Sequence, residues 1–341
     1  MGRVVLVTGV ARYLGGRLAR MLLDAPEVDR VVGVDVVSPD EDLSDVEFVR
    51  ADIRNPIISK VIAAAEVDTV VHMNVIATPV SVGGRASMKE INVIGTMQLL
   101  AACQRAGSVK RLVVKSSTAV YGSGPKDPGM FTEAMDPKSL PRSGYGKDSV
   151  EVESYVRGFA RRRPDVGVVQ LRFANVVGPG ITTAFTSYFR LPVIPTVMGY
   201  DPRLQFIHED DCLNLLESMT LQSHTGTFNA AGAGIVTLSQ AIARAGKPFL
   251  PLPAPLMSST GRWVRRAGLV DFSSDQIQLL RYGRVVDTER LAVDVGWQPA
   301  YSTLSAFDDY LAAQVTPLIP RDAVRSVEEK LVDTLTGGSN G

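Results

Sequence analysis

Residues 3–23 read RVVLVTGVARYLGGRLARMLL, and residues 31–35 read VVGVD. The first stretch opens with β-branched and aliphatic residues apolar on both faces, as a strand covered on both sides requires. Gly9 ends that run, and a short turn, VARYL, leads through Gly15 and Gly16 into a helical pattern over residues 14–23. The second stretch is another two-sided apolar strand, closed by the carboxylate of Asp35. Strand, glycine turn, helix and strand make one right-handed crossover unit, and the rest of the chain extends it.

The same alternation predicts strands over 47–51, 69–72, 112–116 and 168–173, with helices over 57–65, 87–106 and 145–163. Buried runs separated by helices imply an α/β fold, a doubly wound parallel sheet of the Rossmann type whose ligand crevice lies beyond the carboxyl ends of the strands. After Gly178 the prolines multiply, so residues 1–178 read as a dinucleotide-binding domain and 179–335 as a smaller substrate-binding lobe. Within 205–232, residues 206–207 and 227–228 read as strands returning to the first sheet. Residues 321–335 have the pattern of a charged surface helix, and 336–341 read as disordered.

Composition narrows the class. The chain has 341 residues, with 36 basic and 36 acidic side chains, which argues against nucleic acid or an anionic membrane as partner. No apolar run is long enough to span a bilayer, and the first strand begins almost at Met1, so a cytoplasmic protein is expected. The two cysteines, Cys103 and Cys212, and three histidines form no metal-ligand spacing, so no metal is expected. His72 ends an apolar strand and reads as a hydrogen-bonded core residue. His208 with Glu209–Asp211 reads as a strand end running into a helix N-cap. Arg161–Arg163 read as a solvated last helical turn. Trp263 and the basic residues within 262–266 line a substrate loop or cover the second lobe.

In the glycine turn, small residues let backbone N–H groups approach a pyrophosphate at a helix N-terminus. Gly9, Arg12, Tyr13, Leu14 and Gly15 are therefore cofactor-binding candidates. A carboxylate at the position of Asp35 grips the adenosine ribose hydroxyls, which favours NAD over NADP. Arg12 stands where a middle glycine is expected. It lies over the adenine, pairs with Asp35, or reaches a 2′-phosphate, and Asp35 would repel that phosphate.

Taken in order, these motifs resemble the extended short-chain dehydrogenase/reductase family, the NAD-dependent sugar epimerases and dehydratases, over residues 3–311. The carriers are TGVARYLG (8–15), ADIR (51–54), VVHM (70–73), NVIGT (92–96), SSTAVYG (116–122) and LRFANVVGPG (171–180). FIHEDD (206–211), GTFNAAG (226–232) and GWQP (296–299) follow. The resemblance implies Asp52 and Ile53 against the adenine, and Asn92 near the cofactor end of the sheet. It implies Ser117 and Tyr145 as the catalytic hydroxyls, with Tyr145 as general acid/base and also in contact with the cofactor, as is Ser117. Asn175 would touch substrate. A homodimer through helices 87–106 and 145–163 is likewise implied.

Two departures matter. A tyrosine, with an ordinary pKa near ~10, needs a nearby cation to act as a base at neutral pH. The family places a lysine four residues on, one turn along the helix. Here that position is Ser149, and Lys147 is two residues from Tyr145. Either the helix starts late and Lys147 swings inward, or Lys115, on the same strand face as Ser117, substitutes. Otherwise turnover is slow, altered or lost. Second, family members acting on nucleotide diphosphate sugars often carry arginine two residues before the phenylalanine of FIH. Position 204 is leucine, with Arg203 one residue earlier, so Arg203 is a substrate candidate with reversed side-chain direction. The expected function is an NAD-dependent epimerase/dehydratase or dehydrogenase acting on a hydroxylated small molecule, with a nucleotide sugar favoured. The alternatives are a dinucleotide-binding sensor or scaffold and a hydroxysteroid-type dehydrogenase.

Overall fold

The computed structural model describes residues 2–73, 84–138, 140–141, 143–257 and 274–318. The readings made for residues 262–266 and for 321–341 lie outside them.

In chain order the first half contains β1 (Arg3–Thr8), α1 (Tyr13–Leu23), β2 (Val28–Asp35), β3 (Glu47–Arg50), α2 (Ile57–Ala64) and β4 (Thr69–His72). It continues with α3 (Arg85–Lys89), α4 (Thr96–Arg105), β5 (Arg111–Ser117), α5 (Gly144–Arg162) and β6 (Gly167–Phe173). Then come β7 (Asn175–Val177), α6 (Ala184–Phe189), β8 (Ile194–Val197), β9 (Arg203–Leu204), β10 (Phe206–His208), α7 (Glu209–Leu221) and β11 (Gly226–Ala230). Seven strands form one parallel sheet in the order β11-β6-β5-β4-β1-β2-β3. Winding reverses between β1 and β4, so the crevice opens beyond Thr8 and His72.

The two-sided apolar runs place β1 and β4 at the centre, where Val5, Leu6, Val7, Val70 and Val71 are fully buried. One face packs on α1 and α7, through Leu18, Leu22, Leu215 and Met219. The other packs on α2, α4 and α5, through Ile58, Leu99, Val152 and Phe159. No described helix is long and apolar enough to cross a membrane.

Two expectations need correction. Residues 226–230 do return to the main sheet, pairing β6 from Gly226↔Val169 to Ala230↔Phe173. Residues 206–208 do not: β11 already occupies that edge, so β10 pairs instead with β7, where the chain has left the sheet after Phe173. The expected helix over 87–106 is also interrupted. Glu90–Gly95 form a π-helical segment between α3 and α4, the wide turn that accommodates one extra residue inside a helix. It presses close to the loop after β3, since a Cβ on Gly95 would lie 2.7 Å from Ile53 Cδ1.

A second apolar cluster gathers Phe185, Phe189, Leu204, Phe206, Phe307 and Tyr310. Phe307 of the helix Thr303–Gln314 stacks on Phe206 at 5.1 Å and meets Phe189 edge-on at 4.9 Å. The Gln314 amide at that helix's end donates to the carbonyls of Gly178, Pro179 and Ile181. The segment after β7 is thus held from the far end of the described chain.

The glycine turn leaves no tolerance. Gly9 sits at φ 80°, and a Cβ on Gly15 would lie 2.1 Å from the Gly9 carbonyl oxygen. Gly15→Ala is expected to lower stability by about 1–3 kcal/mol, the usual cost of overpacking. Urea unfolding checks it; an unchanged midpoint would show that the turn relaxes without cost.

Candidate functional site

The glycine turn is built for a guest at the end of β1. Arg12 is the N-cap residue of α1, and no side chain caps the first-turn N–H groups of that helix. Such groups point outward as anion ligands. Asp35 at the end of β2 is 5% exposed. Its carboxylate accepts from Ala11 N at 3.1 Å and Val36 N at 2.7 Å.

Arg12 is partly buried. Burial lowers its pKa, and the charge of Asp35 opposes that shift. Its Nε is buried with no hydrogen-bond partner among the described residues. A buried guanidinium nitrogen with no protein partner beside uncapped N–H groups fits an anionic dinucleotide seated on this turn.

The other cofactor candidates divide. Leu14 lines the neighbouring cavity. The Tyr13 hydroxyl instead donates to Glu209 Oε1 at 2.7 Å, and burial pushes its pKa up to about 12. Glu209 is buried and also accepts from Ile181 N at 2.8 Å, so Tyr13 ties α1 to the segment after β7. Asp52 is gripped by Arg54, with Nη2 at 2.6 Å, and this holds its carboxyl below the usual range. Ile53 is buried against the π-helical segment. Asn92 is fully buried there and donates to Asp148 at 3.3 Å. Asp148, also fully buried, takes two bonds of 2.6 Å from Arg85.

Beyond the sheet end, Lys115, Ser117, Tyr145 and Asn175 line one cavity of about 530 Å³. Ser117 closes β5, and its Oγ accepts from Ala119 N at 3.1 Å. Tyr145 sits in the first turn of α5. That helix begins at Gly144, so the late start that would free Lys147 does not occur. Lys147 is 44% exposed and faces Glu151 at 3.9 Å. Ser149 is buried, and its Oγ donates to the Tyr145 carbonyl at 2.9 Å, so no cation stands one turn on. Arg203 does not line the cavity: it is exposed on β9 and donates to Gly129 O at 2.9 Å.

A buried polar chain that sequence reasoning missed supports the end of β5. Glu153 accepts from Ser116 Oγ at 2.7 Å and pairs with Arg172 at 2.7 Å. Arg172 donates to the Tyr121 hydroxyl at 2.7 Å, and Tyr121 in turn donates to Asn229 at 2.9 Å. The only signal was the presence of Tyr121, Arg172 and Asn229 inside quoted motifs. Asp275 and Arg284, also in the cavity wall, carried no motif signal.

His72 and His208 behave as structural residues. His72 bridges Thr8 Oγ1 at 2.9 Å and Thr96 Oγ1 at 2.8 Å. The His208 Nδ1 accepts from Asp210 N as the cap of α7, and Nε2 meets Asp309 at 2.9 Å.

A parallel doubly wound sheet with a glycine turn at its switch point, and a cavity beyond it lined by Ser117 and Tyr145, defines a nucleotide-dependent α/β enzyme. The chain belongs to the NAD-dependent epimerase/dehydratase family, whose model matches residues 5–230. An uncharacterized protein of Mycobacterium tuberculosis (strain ATCC 25618 / H37Rv) is 46% identical over 340 residues, covering 97% of this chain and 89% of its own. In fold the chain is similar to the UDP-glucose 4-epimerase of Thermotoga maritima solved with UDP-glucose. That likeness has a TM-score of 0.70 at 21% identity, over 91% of this chain and 98% of the other. It is also similar to the UDP-glucuronic acid 4-epimerase of Bacillus cereus solved with NAD. There the TM-score is 0.66 at 20% identity, over 95% and 99%.

Burial pushes the His72 pKa from 6.5 down to about 4. The folded state therefore binds that proton less tightly than the unfolded chain does. Stability is unaffected by His72 above pH about 6.5 and falls as pH drops toward 4, by on the order of 2 kcal/mol at pH 5. Urea unfolding at pH 7.5 and pH 5 should show a steeper loss in the native protein than in His72→Gln. Parallel losses would mean that His72 carries no such linkage.

Proposed function

We propose that this chain is an NAD-dependent epimerase or dehydratase acting on a nucleotide-activated sugar, working in the cytoplasm as a homodimer. The observation that carries the reading is the convergence of Ser117, Tyr145 and Asn175 on one cavity at the carboxyl end of the sheet. NAD, when bound, supplies the hydride acceptor at its nicotinamide. Gly9 and Gly15 leave room for its pyrophosphate, Arg12 adds a positive charge, and Asp35 presents a carboxylate to the ribose hydroxyls. Asp52, Ile53 and Asn92 shape the adenine and ribose surroundings.

In the cavity, Ser117 Oγ hydrogen-bonds the substrate oxygen, and the Tyr145 hydroxyl takes and returns its proton. Lys115 lines the same cavity as Ser117, and its ammonium makes no hydrogen bond or ion pair to a described residue. We assign it the cationic role that Ser149 leaves open. Asn175 orients the substrate. Arg203 would serve only by leaving the Gly129 carbonyl.

The homodimer reading rests on apolar side chains left outside around α4 and α5: Ile94 is 41% exposed, Met97 37% and Tyr155 40%. The cytoplasmic reading rests on Cys103 and Cys212, both free and buried, with thiols pushed up to about 12 by burial. A second reading, a dinucleotide-binding protein with little turnover, is favoured by Ser149, whose hydroxyl is committed to the Tyr145 carbonyl.

Calorimetry is expected to show tighter binding of NAD than of NADP; the reverse order would overturn the reading of Asp35. Turnover of a nucleotide-sugar panel should be abolished by Tyr145→Phe and by Lys115→Ala, and retained in Lys147→Ala. Full activity in Lys115→Ala would remove the cationic role. Absence of turnover in the native protein, with NAD still bound, would favour the second reading.

A further inference from the structure

The cavity that holds Ser117 and Tyr145 is also lined by Arg284. This side chain is mounted on a stiff support. Gly283 before it sits at φ 70°, and a Cβ there would lie 2.3 Å from the Arg203 carbonyl oxygen. Arg284 N donates to that same carbonyl at 3.2 Å. The two residues after it, Val285 and Val286, are buried, and Val286 N donates to Gln205 Oε1 at 3.0 Å. The backbone therefore has little freedom to turn the guanidinium elsewhere.

The charge has no dedicated partner. Burial pushes the Arg284 pKa down to about 10, against the opposing charges of Asp275, Tyr145 and Asp127. Neither carboxylate reaches it. Asp275 accepts from Gly146 N at 3.3 Å and Ser143 Oγ at 3.4 Å, and Asp127 accepts from Gly124 N at 2.6 Å. The Arg284 guanidinium makes no hydrogen bond or ion pair to any described residue. A half-buried guanidinium without a protein partner presents its five donors to the cavity, and its planar fork matches a carboxylate or phosphate. Arg284 lines the same cavity as Ser117 and Tyr145, which places that fork in the chamber of the two hydroxyls.

We infer that Arg284 recognises a carboxylate on the substrate's sugar ring, close to the carbon whose oxygen meets Tyr145, so that the substrate class is a uronic-acid-type sugar. This rests on the reading of the cavity as a sugar site. Asp275, held on the first turn of α5, bounds the same wall and discourages a second anion beside the first.

The test compares UDP-glucuronate with UDP-glucose by calorimetry on the NAD-loaded protein. The native protein should bind the uronate at least about tenfold tighter, the scale of one charged hydrogen-bonded contact. Arg284→Gln should lose that preference while binding UDP-glucose as before, and Arg284→Lys should restore part of it. Equal binding of both nucleotide sugars by the native protein, or a preference that survives in Arg284→Gln, would overturn the inference. Equal weakening of both ligands would assign Arg284 to the diphosphate and overturn it as well. Methyl glucuronide against methyl glucoside, by ligand-observed NMR, removes the nucleotide from the comparison. A charge preference there, lost in Arg284→Gln, with neither nucleotide sugar bound, sinks the nucleotide-sugar reading and leaves this inference standing. No preference in either comparison overturns it.

Discussion

The approach of α1 to the end of β1, where Gly15 meets the Gly9 carbonyl, sets the position of nearly everything around the site. A side chain at residue 15 would push the helix off the turn and carry its first N–H groups away from the crevice. With the helix seated, Leu14 reaches the cavity and Tyr13 reaches Glu209. That buried carboxylate then gathers Gly180 and Ile181, so the segment following β7 is docked on the same helix. One steric fact at a glycine thus fixes both the glycine turn and part of the cavity wall.

The site's charges are arranged by opposite logics. Where structure must be rigid, charge is matched: Glu153 with Arg172, and Asp148 with Arg85, each with hydrogen bonds that complete the pairing. Such pairs add little net stability, but removing one partner strands the other in a poor dielectric. At the two places where a ligand is expected, charge is left unmatched. Arg12 stands in the glycine turn and Arg284 lines the cavity of Ser117 and Tyr145, each without a bonded carboxylate among the described residues. Rigid frame and receptive surface are distinguished by whether their ions have partners.

Local patterns made the central sheet readable. The apolar stretches at 4–7, 70–71 and 112–114 are covered on both faces, and their shortness and β-branching mark them as strands rather than buried helix. The same reasoning left Lys147 open between two orientations, and only the helix start at Gly144 sets it against Glu151. It failed where pairing is decided at long range. Residues 206–208 look like any short apolar strand, and only the prior claim of β11 on the sheet edge sends them to β7. The Tyr121–Asn229 bond spans 108 residues, and no periodicity encodes it. Arg284 lies in a segment with no motif and becomes visible only when the cavity is traced.

The π-helical segment at Glu90–Gly95 has a consequence for how this chain tolerates length change. An α-helix advances about 100° per residue. The wide turn absorbs one surplus residue, so the phase of α3 relative to α4 hangs on a single insertion. In the phase present here, Asn92 and Arg85 both reach the buried carboxylate of Asp148 beneath the first turn of α5. A chain one residue shorter would be the more regular helix, yet it would swing α3 by more than a quarter of a circle and leave that carboxylate without its cation. Irregularity here is a phase-setting device, and the fold keeps a less regular helix that holds Arg85 on Asp148 and on the Gly144 carbonyl at the start of α5.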